Sequence, residues 1–156
     1  MLRYFCTLMV VAGALSLLAI DSALLATEAP QTTPAGAVVP AGEVSLGSIQ
    51  LPRQVMADGQ TLPSGSYEVK VTASSANPEV PGQLAELERW AEFRQGAELR
   101  GREVVTIVPR EEIDEVAKST PPSSGTSRVE MLRENDYLRV WINQNETHYF
   151  IHLVIS

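Results

Sequence analysis

Residues 137–155, YLRVWINQNETHYFIHLVI, constrain the chain more than any other stretch, because apolar and polar side chains alternate on both sides of a short polar centre. Alternation at a period of two is the signature of a strand, and two strands joined by so short a connection must pair antiparallel. With Gln144 and Asn145 as a two-residue turn, or residues 143–146 as a four-residue one, Trp141 is expected opposite His148, Arg139 opposite Phe150 and Tyr137 opposite His152. Cross-strand partners point the same way. One face therefore carries Tyr137, Arg139, Trp141, His148, Phe150 and His152, and the other carries Leu138, Val140, Ile142, Thr147, Tyr149 and Ile151. The second set reads as an ordinary core face. The first is aromatic and basic, and it is the candidate ligand-binding surface, since such rings offer apolar area with a polar handle. If a helix or long loops lie over it, the same face is packing instead.

The chain starts differently. Arg3 precedes an apolar run over residues 5–20, and small residues follow, which is the pattern of an export signal covering residues 1–26. The run falls short of the ~20 apolar residues a spanning helix wants, so a membrane is expected to be met only through an uncleaved signal. The single cysteine, Cys6, lies inside this segment, which excludes a disulfide-stapled fold and a thiol enzyme for the rest of the chain. Export to the periplasm or the extracellular space is the expectation. Residues 27–42, TEAPQTTPAGAVVPAG, have the composition of a flexible tether, and residues 43–156 remain for one domain.

Within that domain, short alternations are broken by turn residues. Val44, Leu46, Ile49 and Leu51 mark a first strand, bulged or at an edge where Gly47 and Pro52 interrupt it. Asp58-Gly59 and Pro63-Ser64-Gly65 are turn signals, and Tyr67, Val69 and Val71 then alternate with polar neighbours. Leu62, Pro63, Gly65 and Tyr67, together with GREVVTIVP and THYFIHL, resemble segments of small uncharacterised exported bacterial all-β proteins; the resemblance implies fold and export and no activity. Residues 73–83 read as a loop. A second hairpin is expected with Gln95, Gly96 and Ala97 as its loop, pairing Arg94 with Glu98, Glu92 with Arg100 and Arg89 with Glu103, and setting Trp90 opposite Arg102 as a cation–π pair. Residues 110–118 read as a short helix with Ile113, Val116 and Ala117 buried, and residues 119–127 as a loop. The sum is an all-β domain, an antiparallel β-sandwich or partly open barrel of seven to eight strands with one short helix.

Chemistry is sparse. The only histidines are His148 and His152, and no Gly-x-Ser-x-Gly elbow frames a serine, so no catalytic residue is assigned. Four residues apart on an extended strand the histidines sit ~13 Å from one another, too far to share an ion, and no metal ligand or cofactor is assigned. A formal charge of −7 argues against a nucleic-acid partner. The expected role is an exported, non-enzymatic domain that is structural or binds a protein or cell-envelope component. A carbohydrate-binding module stacking sugars on Trp90 and Trp141 is the alternative, and self-assembly through Val38 and Val39 on a neighbour's sheet edge is a third.

Overall fold

The computed structural model describes residues 41–76 and 87–156. The export signal, the tether and most of the loop after Ser75 lie outside the described residues. Among those described, the strands are β1 (Val44–Leu51), β2 (Val55–Ala57), β3 (Gln60–Leu62), β4 (Gly65–Ser75), β5 (Glu88–Gln95), β6 (Glu98–Val108), β7 (Thr126–Leu132), β8 (Tyr137–Gln144) and β9 (Thr147–Ile155), and α1 is the single turn Ile113–Val116.

All nine strands belong to one sheet and every pairing is antiparallel. The main path runs β1-β4-β5-β6-β9-β8-β7, and β2 joins the end of β9 beyond β6, with β3 paired to it. The outer strands β1 and β7 come within 8 Å of each other, Cα to Cα, but do not pair. The sheet therefore curls into the expected partly open barrel, left unclosed along that seam. It has more strands than expected because β2 and β3 are only three residues long and read in the sequence as turn flanks.

The curl follows from the alternation. Leu46, Ile49, Tyr67, Val69, Val71, Ala91, Phe93, Val105, Ile107, Leu138, Val140, Ile142, Tyr149, Ile151 and Leu153 all point to one side and form a single buried cluster. One face of the sheet thus excludes water along its whole width, which drives the fold. Turns are set by residues that accept positive φ: Asp58 and Gly59 (43° and 75°) join β2 to β3, and Asn145 and Glu146 (52° and 64°) join β8 to β9. Gly47, at φ 84°, sits where the register of β1 shifts, as the bulge reading required.

Both hairpin registers differ from expectation, β8–β9 by two residues throughout and β5–β6 by one beside its loop and two beyond a bulge. With Asn145-Glu146 as the turn, Tyr137 pairs with Val154, Arg139 with His152, Trp141 with Phe150 and Asn143 with His148. A shift of two keeps every side chain on its face, so the division into core and outer sets survives. In the β5–β6 hairpin the loop is Gly96-Ala97, and a bulge between Phe93 and Arg94 pairs Glu92 with Arg102 and Trp90 with Val104. The expected cross-strand charge pairs do not form: Arg94 meets Glu92 on its own strand, Arg100 meets Glu98, and Arg102 reaches Asp58, each at 2.9 Å. The expected helix is cut to one α-turn after a 3-10 turn at Arg110–Glu112, and Val116 is exposed while Ile113 and Ala117 are buried.

Candidate binding site

On the outside of the barrel, the expected aromatic and basic face is divided. Reading the ladders across β7, β8 and β9, its rows are Thr126, Asn143 and His148; Arg128, Trp141 and Phe150; Glu130, Arg139 and His152; and Leu132, Tyr137 and Val154. Trp141 and Phe150 of the second row lie under α1. Val108, Ile113, Ala117, Trp141 and Phe150 form a second buried cluster there, with Trp141 wholly inaccessible. Its Nε1–H donates to His148 Nδ1 at 3.1 Å, and His148 is itself 3% exposed. An indole can only donate, so Nδ1 carries no proton and the His148 proton is on Nε2. Burial, reinforced by the Arg110 charge, holds the His148 pKa below its ordinary value and keeps the ring neutral.

Arg139 marks the boundary. Its guanidinium binds Glu130 through Nε at 2.9 Å and also through Nη2, and it lies 5.5 Å from the ring centroids of both Trp141 and Phe150. Burial pushes the Glu130 carboxyl up, but hydrogen bonds from Arg139 and Arg128 outweigh it and hold the pKa below the usual value. Arg139 is therefore neutralised in place and shields the aromatic cluster.

Beyond Arg139 the face is open. Leu132, Arg133, Tyr137 and His152 line a shallow pocket of about 320 Å³, and Val154 beside it is 47% exposed. Arg133 lies 5.5 Å from the Tyr137 ring and makes no ion pair among the described residues. The residues that place it, Arg133, Glu134 and Asn135, all have positive φ (48°, 54° and 81°), a backbone that side-chain-bearing residues adopt at a cost. Partial desolvation of a ring that still reaches solvent, with the Arg139 charge, holds His152 below its ordinary pKa.

The two groups of candidate residues both face outward, but they are not one row: the β6–β9 ladder ends at Val105–Ile151, β2 takes the β9 edge at Val154, and Trp90 pairs with Val104 beyond that end, while His152, Arg139 and Glu130 form a row across β9, β8 and β7. Arg102 stands 4.2 Å from the centre of the half-buried Trp90 ring, a diagonal contact rather than the expected direct one.

Of the eight sequence candidates, Tyr137, His152, Trp90 and Arg102 are accessible on the outer face, while Trp141 and Phe150 are packed under α1, His148 is buried beside them and Arg139 is engaged by Glu130. Trp141 is corrected as a stacking platform, because no ring face remains for a sugar. Leu132, Arg133 and Val154 were missed; Leu132 and Val154 complete the Tyr137 row, which only the true register reveals. Among the described residues no three histidine, cysteine or carboxylate side chains are grouped to hold a metal ion, and no helix is long and apolar enough to cross a membrane. The chain matches no family model, no curated protein and no solved structure.

Proposed function

We propose that the chain is an exported, non-enzymatic binding domain that engages a protein or cell-envelope component through the open end of its outer face. The observation that carries this reading is the group of Leu132, Tyr137, Val154 and His152, apolar and aromatic side chains left on the outside of a sheet whose other face already supplies a complete core. Exposed apolar area with an aromatic anchor and an arginine that makes no ion pair among the described residues is the make-up of an interface centre. The test compares the parent protein with Tyr137→Ser/Arg133→Glu as baits on an envelope extract, after circular dichroism has shown equal folding. Retention of a component by the parent and its loss from the variant supports the reading; identical captures by both overturn it.

Self-assembly is a second reading, favoured by the outer edges of β1 and β7, which pair with no further strand among the described residues. Light scattering before and after deletion of residues 27–42 tests it: an unchanged molar mass removes the tether as the joining strand.

A further inference from the structure

At the covered end of the outer face, a second cavity of about 390 Å³ opens beside α1, lined by Arg110, Ile113, Asp114, Asn143, Glu146 and His148, with Pro121 and Ser124 along one wall. Two of its side chains have fixed and unused polarity. Asn143 is 8% exposed, and its Nδ2 donates to the Pro122 carbonyl at 2.9 Å. A carbonyl only accepts, so the amide orientation is settled, and Asn143 Oδ1, buried with no partner among the described residues, is an acceptor lacking a donor. His148 has its Nδ1 engaged by Trp141, so its Nε2–H is a donor, and no described group accepts from it. These residues are directly paired across β8 and β9, which sets their Cβ atoms ~5 Å apart.

We propose that this cavity binds a small neutral polyhydroxy compound, a polyol or the hydroxyl edge of a sugar. A hydroxyl is the group that donates and accepts at once: it accepts from His148 Nε2–H and donates to Asn143 Oδ1, removing the cost of a buried unpaired acceptor. An anion is disfavoured by that orphan acceptor and by Asp114 and Glu146 at the rim, and a metal cation by Arg110 and the imidazole N–H. Arg110 and Glu146 pair with each other across the mouth, while Asp114 forms no ion pair among the described residues and accepts from a further hydroxyl. The sugar-binding alternative thus moves from ring stacking on Trp141 to a polar slot beneath α1, separate from the surface proposed above.

The indole Nε1–H of Trp141 is a built-in reporter, because it bonds the same imidazole. In nitrogen–proton correlation spectra of the full chain, with Trp90→Phe used to assign the two indoles, glucose or myo-inositol is expected to shift the Trp141 signal saturably. Permethylated glucose, which keeps the acceptors but cannot donate, is expected to leave it unmoved. Asp114→Asn, an exposed change, is expected to weaken binding, and Asn143→Leu to weaken it about tenfold or more. No saturable shift with either polyol up to the solubility limit overturns the proposal. So does an equal shift by permethylated glucose, or a response to inorganic phosphate or calcium chloride alone.

Discussion

Trp141 and His148 are hydrogen-bonded at 3.1 Å although neither is the other's cross-strand partner: Trp141 pairs with Phe150 and His148 with Asn143. The contact is a diagonal one, and it fixes a neutral imidazole beside α1. Protonation of Nδ1 would set two donors face to face beside Arg110.

The pH dependence follows with a definite sign. A histidine whose folded pKa lies below its ordinary 6.5 takes up protons more readily when unfolded, so the stability it confers is complete above about pH 6.5 and is lost as pH falls through the window beneath it. His152 has the same sign. Denaturant melts from pH 8 to 5 should show falling stability in the parent chain, a shallower slope in His148→Gln and a further reduction when His152→Gln is added.

Glu88 behaves oppositely. It is 4% exposed, its Oε2 has no hydrogen-bond partner among the described residues, and burial raises its pKa above the ordinary carboxylate value. A carboxyl of this kind stabilises the fold least at neutral pH, where it is ionised, and the penalty fades as pH falls toward and below its ordinary value. Glu88→Gln is expected to raise neutral-pH stability by about 1 kcal/mol. The difference from the parent should disappear in melts near pH 4.

At the β8–β9 turn, Glu146 holds φ 64° without being glycine, and its side chain pairs with Arg110 where both are well exposed. A left-handed residue costs ~1–2 kcal/mol and an exposed ion pair returns ~0–1 kcal/mol. Strain therefore outweighs the pair. Glu146→Gly should stabilise the domain by about 1 kcal/mol in thermal melts, and Arg110→Ala alone should change stability by less than that.

Gly101 pairs with Phe93 and points into the core, where an added Cβ would lie 3.0 Å from Leu62 Cδ2 and 3.5 Å from its Cγ. Leu62 is fully buried. Gly101→Ala is expected to cost about 1 kcal/mol and Gly101→Val more, as overpacking does. Relief of the Gly101→Val penalty by Leu62→Ala in a double-mutant cycle would tie the cost to that contact.

Much of this fold was legible because period-two alternation is insensitive to its own register. The division of Tyr137, Arg139, Trp141, His148, Phe150 and His152 from the core set survived a two-residue slip, since parity and not pairing decides which way a side chain points. The pairings themselves were not legible. Asn145-Glu146 is not a strong type I′ sequence, and the bulge at Phe93/Arg94 leaves no mark in composition. Val116 was misplaced for a similar reason: a 3.6-residue period was read over residues that form only one α-turn.

By itself the sequence determined that strands would alternate, which faces they would bury, and that one amphipathic face would be left over. Only the tertiary structure decided what happens on that face. A single turn of helix, distant from it in sequence, packs over Trp141 and Phe150, while Tyr137 and His152 stay open beyond the Arg139–Glu130 pair. Burial is a property of what packs against a surface, and the partners that pack here come from β6 and α1, whose placement depends on ladder pairings that local propensity does not encode.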